Sequence, residues 1–236
     1  MTTGRIGIIA TGALGVCILI WLCVWQLQRL EWKEGVIAEM EGRMAADPAP
    51  LPEAFDVEDQ EFSRVVLRGR FTGEKGAHGF ADAPLLVTIR PLGAGYRVIQ
   101  PFILADSRRV MVDRGYIPVA EKNESGAAAL PTPAPVGEIE IVGALRWPVS
   151  EYDEGPAFGA RDNVWTGRDL PEMVELFDAE EALVVLETST AVGEWPKPLP
   201  LEAVKIKNDH LEYAITWGSL AFVWALMTCW LAFRRT

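Results

Sequence analysis

Residues 6–27, IGIIATGALGVCILIWLCVWQL, and residues 213–233, YAITWGSLAFVWALMTCWLAF, decide how this chain is built. Neither stretch holds an Asp, Glu, Lys or Arg. They contain 22 and 21 residues. At a helical rise of ~1.5 Å per residue each is ~31–33 Å long, enough for the hydrocarbon core of a bilayer. Two spans bracketing the sequence put both tails on one side of a membrane and nearly everything between them on the other.

The expected organisation is a tail at 1–5, a first transmembrane helix at 6–27, a polar domain with an initial helical stalk at 28–210, a second transmembrane helix at 211–233 and a tail at 234–236. The first span is too long for the apolar core of a signal peptide. Trp25-Gln26-Leu27-Gln28-Arg29 behind it is no small-residue cleavage site, so the span reads as a retained anchor. Only Arg5 precedes it, without the Arg- and Ser-rich character of a transit segment, which favours a bacterial inner membrane. Flanking charges do not fix the orientation: Arg5, Arg234 and Arg235 stand on the tail side, Arg29, Lys33, Lys205 and Lys207 on the domain side.

The middle of the chain is acidic. Residues 34–204 carry 30 acids against 15 bases. That balance excludes a nucleic-acid footprint and a polybasic lipid-binding surface, and it suits a solvated domain. The three cysteines, Cys17, Cys23 and Cys229, all lie in the spans. The domain therefore has neither a disulfide nor a thiolate metal site.

Residues 28–44 read as a continuation of the first helix, with Leu30, Val36, Ile37 and Met40 at mixed three- and four-residue spacing. Pro48, Pro50 and Pro52 end it. Strands follow at 62–71, 84–90, 96–104, 109–113, 137–145 and 182–187, from alternation and turn signals. Asp169 and Glu172 have capping-box spacing before a short apolar helix, and 123–135 is a Gly/Ala/Pro-rich loop. The stretch 196–200 is a stiff connector into the second span. The fold class expected is an α+β membrane protein, with two transmembrane helices flanking a mainly antiparallel, barrel-like β domain. Gly7, Thr11 and Gly15, with Ala214, Gly218, Ala221 and Ala225, are small residues at helix-packing spacing, so the spans are expected to pack on each other.

Catalytic signatures are missing: there is no Gly-x-Ser-x-Gly, Walker A, His-Glu-x-x-His or dinucleotide fingerprint, and the chain is not read as an enzyme. The acidic groups Glu151, Asp153 and Glu154, and Asp178, Glu180 and Glu181, lack calcium-loop spacing and read as solvated surface. Of the two histidines, His78 sits in a Gly-flanked loop. His210 opens the second span behind Asn208-Asp209, and Asp209 with Glu212 has capping-box spacing. An imidazole there either bonds water and headgroups or serves as an axial ligand to a metal, haem iron being the hydrophobic candidate. Trp217 lies two turns beyond it, and Tyr213, Trp21, Trp25 and Trp32 belong to the same interface. These rings form either an ordinary aromatic belt or the lining of an apolar slot.

The stretch Trp25-Gln26-Leu27-Gln28-Arg29-Leu30-Glu31-Trp32-Lys33 resembles the Trp-Gln-x-x-Arg-x-x-Trp-Lys hallmark of the Surfeit locus protein 1 family. Residues 95–102, Val112-Asp113-Arg114-Gly115-Tyr116-Ile117-Pro118, residues 163–169 and His210-Leu211-Glu212-Tyr213-Ala214-Ile215-Thr216-Trp217 continue the resemblance in order. Asp113 stands where the family has Asn, Tyr116 where it has Trp, and Asp209 where a second Asn is common. The resemblance implies a chaperone for cytochrome c oxidase assembly that binds haem a and aids its insertion into the catalytic subunit. Haem a biosynthesis enzymes are candidate further partners on the same resemblance. It also implies that the domain faces the periplasm, with both tails cytoplasmic. Carried over residue by residue, it makes His210 the iron ligand, with Trp217 and Tyr213 beside it and Trp25, Gln26 and Arg29 across from it. A guanidinium matches a carboxylate, so Arg29 is a candidate partner for a haem propionate. The alternative is a membrane-anchored scaffold that grips an oxidase assembly intermediate without carrying haem.

Overall fold

Among the described residues, thirteen elements follow one another: α1 (Thr3–Ala45), β1 (Ala49–Pro50), α2 (Val57–Gln60), β2 (Arg64–Phe71), β3 (Ala83–Ile89), β4 (Gly93–Leu104), β5 (Arg109–Pro118), β6 (Ile139–Arg146), β7 (Phe158–Gly159), β8 (Val164–Trp165), α3 (Leu170–Phe177), β9 (Leu183–Ser189) and α4 (His210–Phe233). They come from a computed structural model that describes residues 3–73, 75, 79–119, 134–147, 158–159, 164–167, 169–191, 196–201 and 208–234. His78, the acidic group Glu151, Asp153 and Glu154, most of the loop 123–135, and Lys205 and Lys207 lie outside them.

Two units emerge: residues 1–41 with 203–236, and residues 42–202. In the first, α1 and α4 are both long and apolar enough to cross a membrane. They run antiparallel. Gly12 faces Thr228, Gly15 faces Trp224, and Gly218 faces Cys23, so positions rise on one helix as they fall on the other. Both termini of the pair are therefore at the same end. Small residues make the seam, as expected, though the roster shifts. Ala214, Ala221 and Ala232 are buried, and Gly12 joins Gly15, while Gly7 meets nothing within 4 Å. One stripe of buried and half-buried positions on α1 runs through Gly12, Gly15, Leu19, Cys23, Gln26, Leu30, Lys33, Ile37 and Met40, with Ile9, Val16 and Leu22 half-buried beside it. That spacing alternates between three and four residues, the period of a coiled-coil stripe.

The second unit is a sheet closed on itself. Its strand order is β1-β2-β6-β9-β5-β4-β3-β8-β7, and β2 also pairs with β4. That extra pairing closes β2, β6, β9, β5 and β4 into a five-stranded ring, with β3, β8 and β7 continuing outward from β4. Most ladders are antiparallel, but β5 and β9 run parallel, as do β1 with β2 and β3 with β8. The core inside includes Leu67, Ile99, Phe102, Met111, Ile141, Leu145, Leu183 and Trp165. Phe71 and Phe102 meet edge to face, their centroids 4.9 Å apart.

Closure depends on Gly69. It pairs with Ile139 on β6 and with Leu104 on β4. A Cβ at Gly69 would collide with the main-chain oxygen of Ile103, so only glycine lets the two strands approach this closely. Gly69→Val is expected to cost about 1–3 kcal/mol through forced strand displacement. A lowered urea midpoint of the full chain in detergent, followed by Trp fluorescence, checks it; a midpoint equal to the parent's shows that β4 yields freely.

Asp169 caps α3 as its spacing predicts, accepting the Glu172 N–H at 3.0 Å. The same spacing at the start of α4 misleads. Asp209 stands at the N-cap with φ −93° and ψ 5°, and its side chain makes no capping bond. A capping side chain needs an extended backbone at that position, which Asp209 does not have.

Candidate functional site

His210 is the first residue of α4. Its Nδ1 lies 2.7 Å from Oε1 of Gln26, 184 residues earlier in the chain. Gln26 is only 8% exposed and falls on the α1 stripe, where every neighbour in the spacing up to Leu30 is apolar or small. A buried amide in such a place needs a partner, because desolvating it without one is costly. The bond itself is modest: interhelical hydrogen bonds in membranes average about 0.6 kcal/mol and reach about 1.7. The pair therefore orients groups more than it holds the helices together.

An amide oxygen only accepts, so in the neutral imidazole Nδ1 is the donor and the ring's other nitrogen, Nε2, carries the lone pair. Through that lone pair a neutral imidazole binds a metal. No cluster of three or more His, Cys, Asp or Glu suited to a metal ion occurs among the described residues. A metal arriving inside a macrocycle does not require one, since the ring brings its own nitrogens and asks the protein only for an axial ligand. The donor set thus fits a haem and does not fit a bare cation.

The other expected site residues lie at other positions on the two helices. Trp217, seven residues on, is half-buried on α4, ~10 Å deeper along the helix. Tyr213 and Trp25 are 53% and 44% exposed on the outer faces of their helices. Arg29 is exposed one turn from Gln26, and its guanidinium lies 4.1 Å from the centroid of the Trp32 ring. Such a stack contributes about 0.5–1 kcal/mol when exposed, so a stronger anionic partner would displace it readily. A recess of about 280 Å³ lies between the helices, lined by Val16, Ile20, Cys23, Gly218, Ala221 and Phe222 among others. All of these side chains are apolar or small. His210 is eight residues before Gly218, ~12 Å along the helix.

The domain carries a second polar constellation that composition and periodicity did not reveal. Along β5 burial runs unbroken from Val110 to Ile117, so the strand does not alternate as the short reading of 109–113 suggests. Asp113 is fully buried and pairs with Arg97, Oδ2 to Nε 2.5 Å. Its Oδ1 accepts the Gly115 N–H at 3.1 Å, and Arg97 also donates to the Leu199 carbonyl at 3.3 Å. Tyr116 and Lys197 exchange main-chain hydrogen bonds of 2.8 and 2.9 Å. Gly115 has φ +114°, and a Cβ there would strike the Lys197 carbonyl. These contacts clamp the 196–200 connector against β5.

Beside the clamp, Arg114 donates to Gln100 Oε1 at 2.9 Å and stacks on Phe71. Burial pushes its pKa down to about 10, while the Asp82 carboxylate pulls the other way. The folded value lies below the ordinary one, so this burial penalty is constant at neutral pH and is relieved only as pH rises through about 10. The acidic group at 178–181 is not simply solvated. Glu180 takes a two-point fork from Arg108, at 2.8 and 2.6 Å.

A family model described as the SURF1 family matches residues 13–222. This chain belongs to the SURF1 family. It is 28% identical to Surfeit locus protein 1 of Xenopus tropicalis over 88% of this chain and 70% of that one. Against a SURF1-like protein of Monosiga brevicollis the identity is 30%, covering 91% and 82%. Against Surfeit locus protein 1 of Homo sapiens it is 27%, covering 85% and 69%. The family match runs from the first third of α1 to the middle of α4, so it takes in both the Gln26–His210 pair and the β5 clamp.

Proposed function

We propose that this SURF1-family chain is a haem a chaperone for the assembly of cytochrome c oxidase, carrying the cofactor to the catalytic subunit without transforming it. The observation that carries the reading is the 2.7 Å contact of His210 Nδ1 with Gln26, which leaves Nε2 available for iron. Haem a is cargo, and each site residue has one task. His210 supplies the axial nitrogen. Trp217 and Tyr213 offer ring faces to the porphyrin edge, with Trp25 across from them. Arg29 exchanges its Trp32 stack for a propionate. The apolar recess beside Cys23 and Gly218 accepts part of the hydrocarbon tail.

The chain sits in a bacterial inner membrane, its domain periplasmic and both tails cytoplasmic, so that cofactor is held near the outer leaflet where it is handed over. Haem a biosynthesis enzymes are the source and the oxidase catalytic subunit the acceptor. Purification of the full chain in mild detergent from cells that make haem a tests this directly. The expected result is a haem absorption spectrum and extraction of haem a. Purified protein free of haem under those conditions would overturn the reading and leave the haem-free scaffold in its place.

A further inference from the structure

Gln26 is a large polar side chain on an otherwise apolar stretch of the α1 stripe, 8% exposed, and its oxygen faces a ring nitrogen of His210. We propose that Gln26 is a positioning residue. By accepting the Nδ1 proton, it holds the imidazole in the one neutral tautomer whose Nε2 can bind iron. This rests on the reading of His210 as the haem ligand and deepens it.

The chemistry leaves little room. A neutral imidazole carries one proton, and free side chains favour it on Nε2, the form that cannot ligate through that atom. An acceptor at Nδ1 reverses the preference and also raises the basicity of the ligating nitrogen. Gln26 is that acceptor, and it comes from the opposite helix, so the tautomer is set only when the hairpin is in register. A single polar residue in an apolar seam also pins register. The two roles separate by chemistry: register asks only for shape, whereas tautomer control asks for an acceptor. Gln26→Leu keeps the shape and removes the acceptor. Gln26→Glu keeps the acceptor.

The test uses the full chain carrying His78→Gln, so that His210 is the only histidine, labelled with ¹⁵N-histidine and purified without haem into nanodiscs. Ring ¹⁵N shifts are read at a pH of about 8, where free imidazole is neutral. The parent and Gln26→Glu are expected to show Nδ1 protonated and Nε2 bare; Gln26→Leu is expected to show the reverse. Titration with hemin, followed by its Soret band, is expected to give about tenfold weaker binding for Gln26→Leu, the usual scale for loss of such a partner, with Gln26→Glu close to the parent. A protonated Nε2 in the parent, or the same tautomer in the parent and Gln26→Leu, would overturn the proposal; the parent spectrum decides even where a variant fails to insert. If the tautomer flips in Gln26→Leu while His210→Ala binds hemin as the parent does, the ligand reading fails, yet control of His210 by Gln26 stands.

Discussion

Asp113→Ala is expected to remove about 3–5 kcal/mol from the stability of the sheet domain, the usual cost of stripping one partner from a buried ion pair. The carboxylate is fully buried, and the Arg97 guanidinium it neutralises is also within the fold. Removing it strands a positive charge and the Gly115 N–H together. Domains are stable by only about 5–15 kcal/mol, so the loss is a large share of the total. Asp113→Asn keeps an acceptor for Gly115 and for Arg97, but the guanidinium loses its counter-charge. Its expected cost is smaller, about 1–2 kcal/mol, in line with ordinary hydrogen-bond increments. The double variant Arg97→Leu with Asp113→Leu removes both charges and is expected to fall between the two. Urea unfolding in detergent, with Trp147 and Trp165 as reporters, ranks the series. An alanine variant within 1 kcal/mol of the parent would mean that water reaches Arg97 and that the clamp on residues 196–200 is held by main-chain bonds alone.

That clamp shows what a linear reading reaches and what it misses. Val112-Asp113-Arg114-Gly115-Tyr116-Ile117-Pro118 stands out by resemblance, but its reason is a contact with residues about 80 positions later, and no period or spacing carries that information. Of the strands that were legible, β2 to β4, β6 and β9, three (β2, β6 and β9) set one apolar face against the core and so alternate or run apolar. β5 hides its length because it is buried on both faces, with Asp113 and Arg114 satisfied by partners. Strands β1, β7 and β8 have two residues each, too few for any pattern. Ring closure through Gly69 is likewise silent in sequence, because alternation tells which way a side chain faces and not which strand lies beside it.

The helical pair was more transparent. The presence of two long apolar helices, their antiparallel arrangement and the use of small residues all follow from composition and spacing. The meeting of Gln26 with His210 does not, since it depends on the relative register of two helices, and no local signal fixes register. The Asp209–Glu212 spacing is the opposite case, a local signal that the backbone does not honour, since Asp209 stands at the N-cap with ψ 5° rather than extended.

His210→Ala is expected to cut the haem recovered with the purified chain at least about tenfold while membrane insertion is unchanged, a tenfold loss corresponding to ~1.4 kcal/mol. The separation of the two effects is physical. Insertion is driven by two spans of 21 and 22 uncharged residues, and the bond His210 makes with Gln26 contributes on the order of 0.6 kcal/mol. Losing it cannot expel a hairpin of that hydrophobicity. The iron, by contrast, loses its only protein nitrogen among the proposed contacts, because Trp217, Tyr213 and Trp25 offer ring faces and Arg29 offers a cation. Exogenous imidazole diffusing into the space left by His210→Gly is then expected to restore part of the haem spectrum, and it should do so less well when Gln26 is also leucine, since the acceptor that orients the added ring is gone. Haem content unchanged in His210→Ala, measured by extraction from protein matched for membrane yield, would remove His210 from the iron and require the ligand to come from elsewhere.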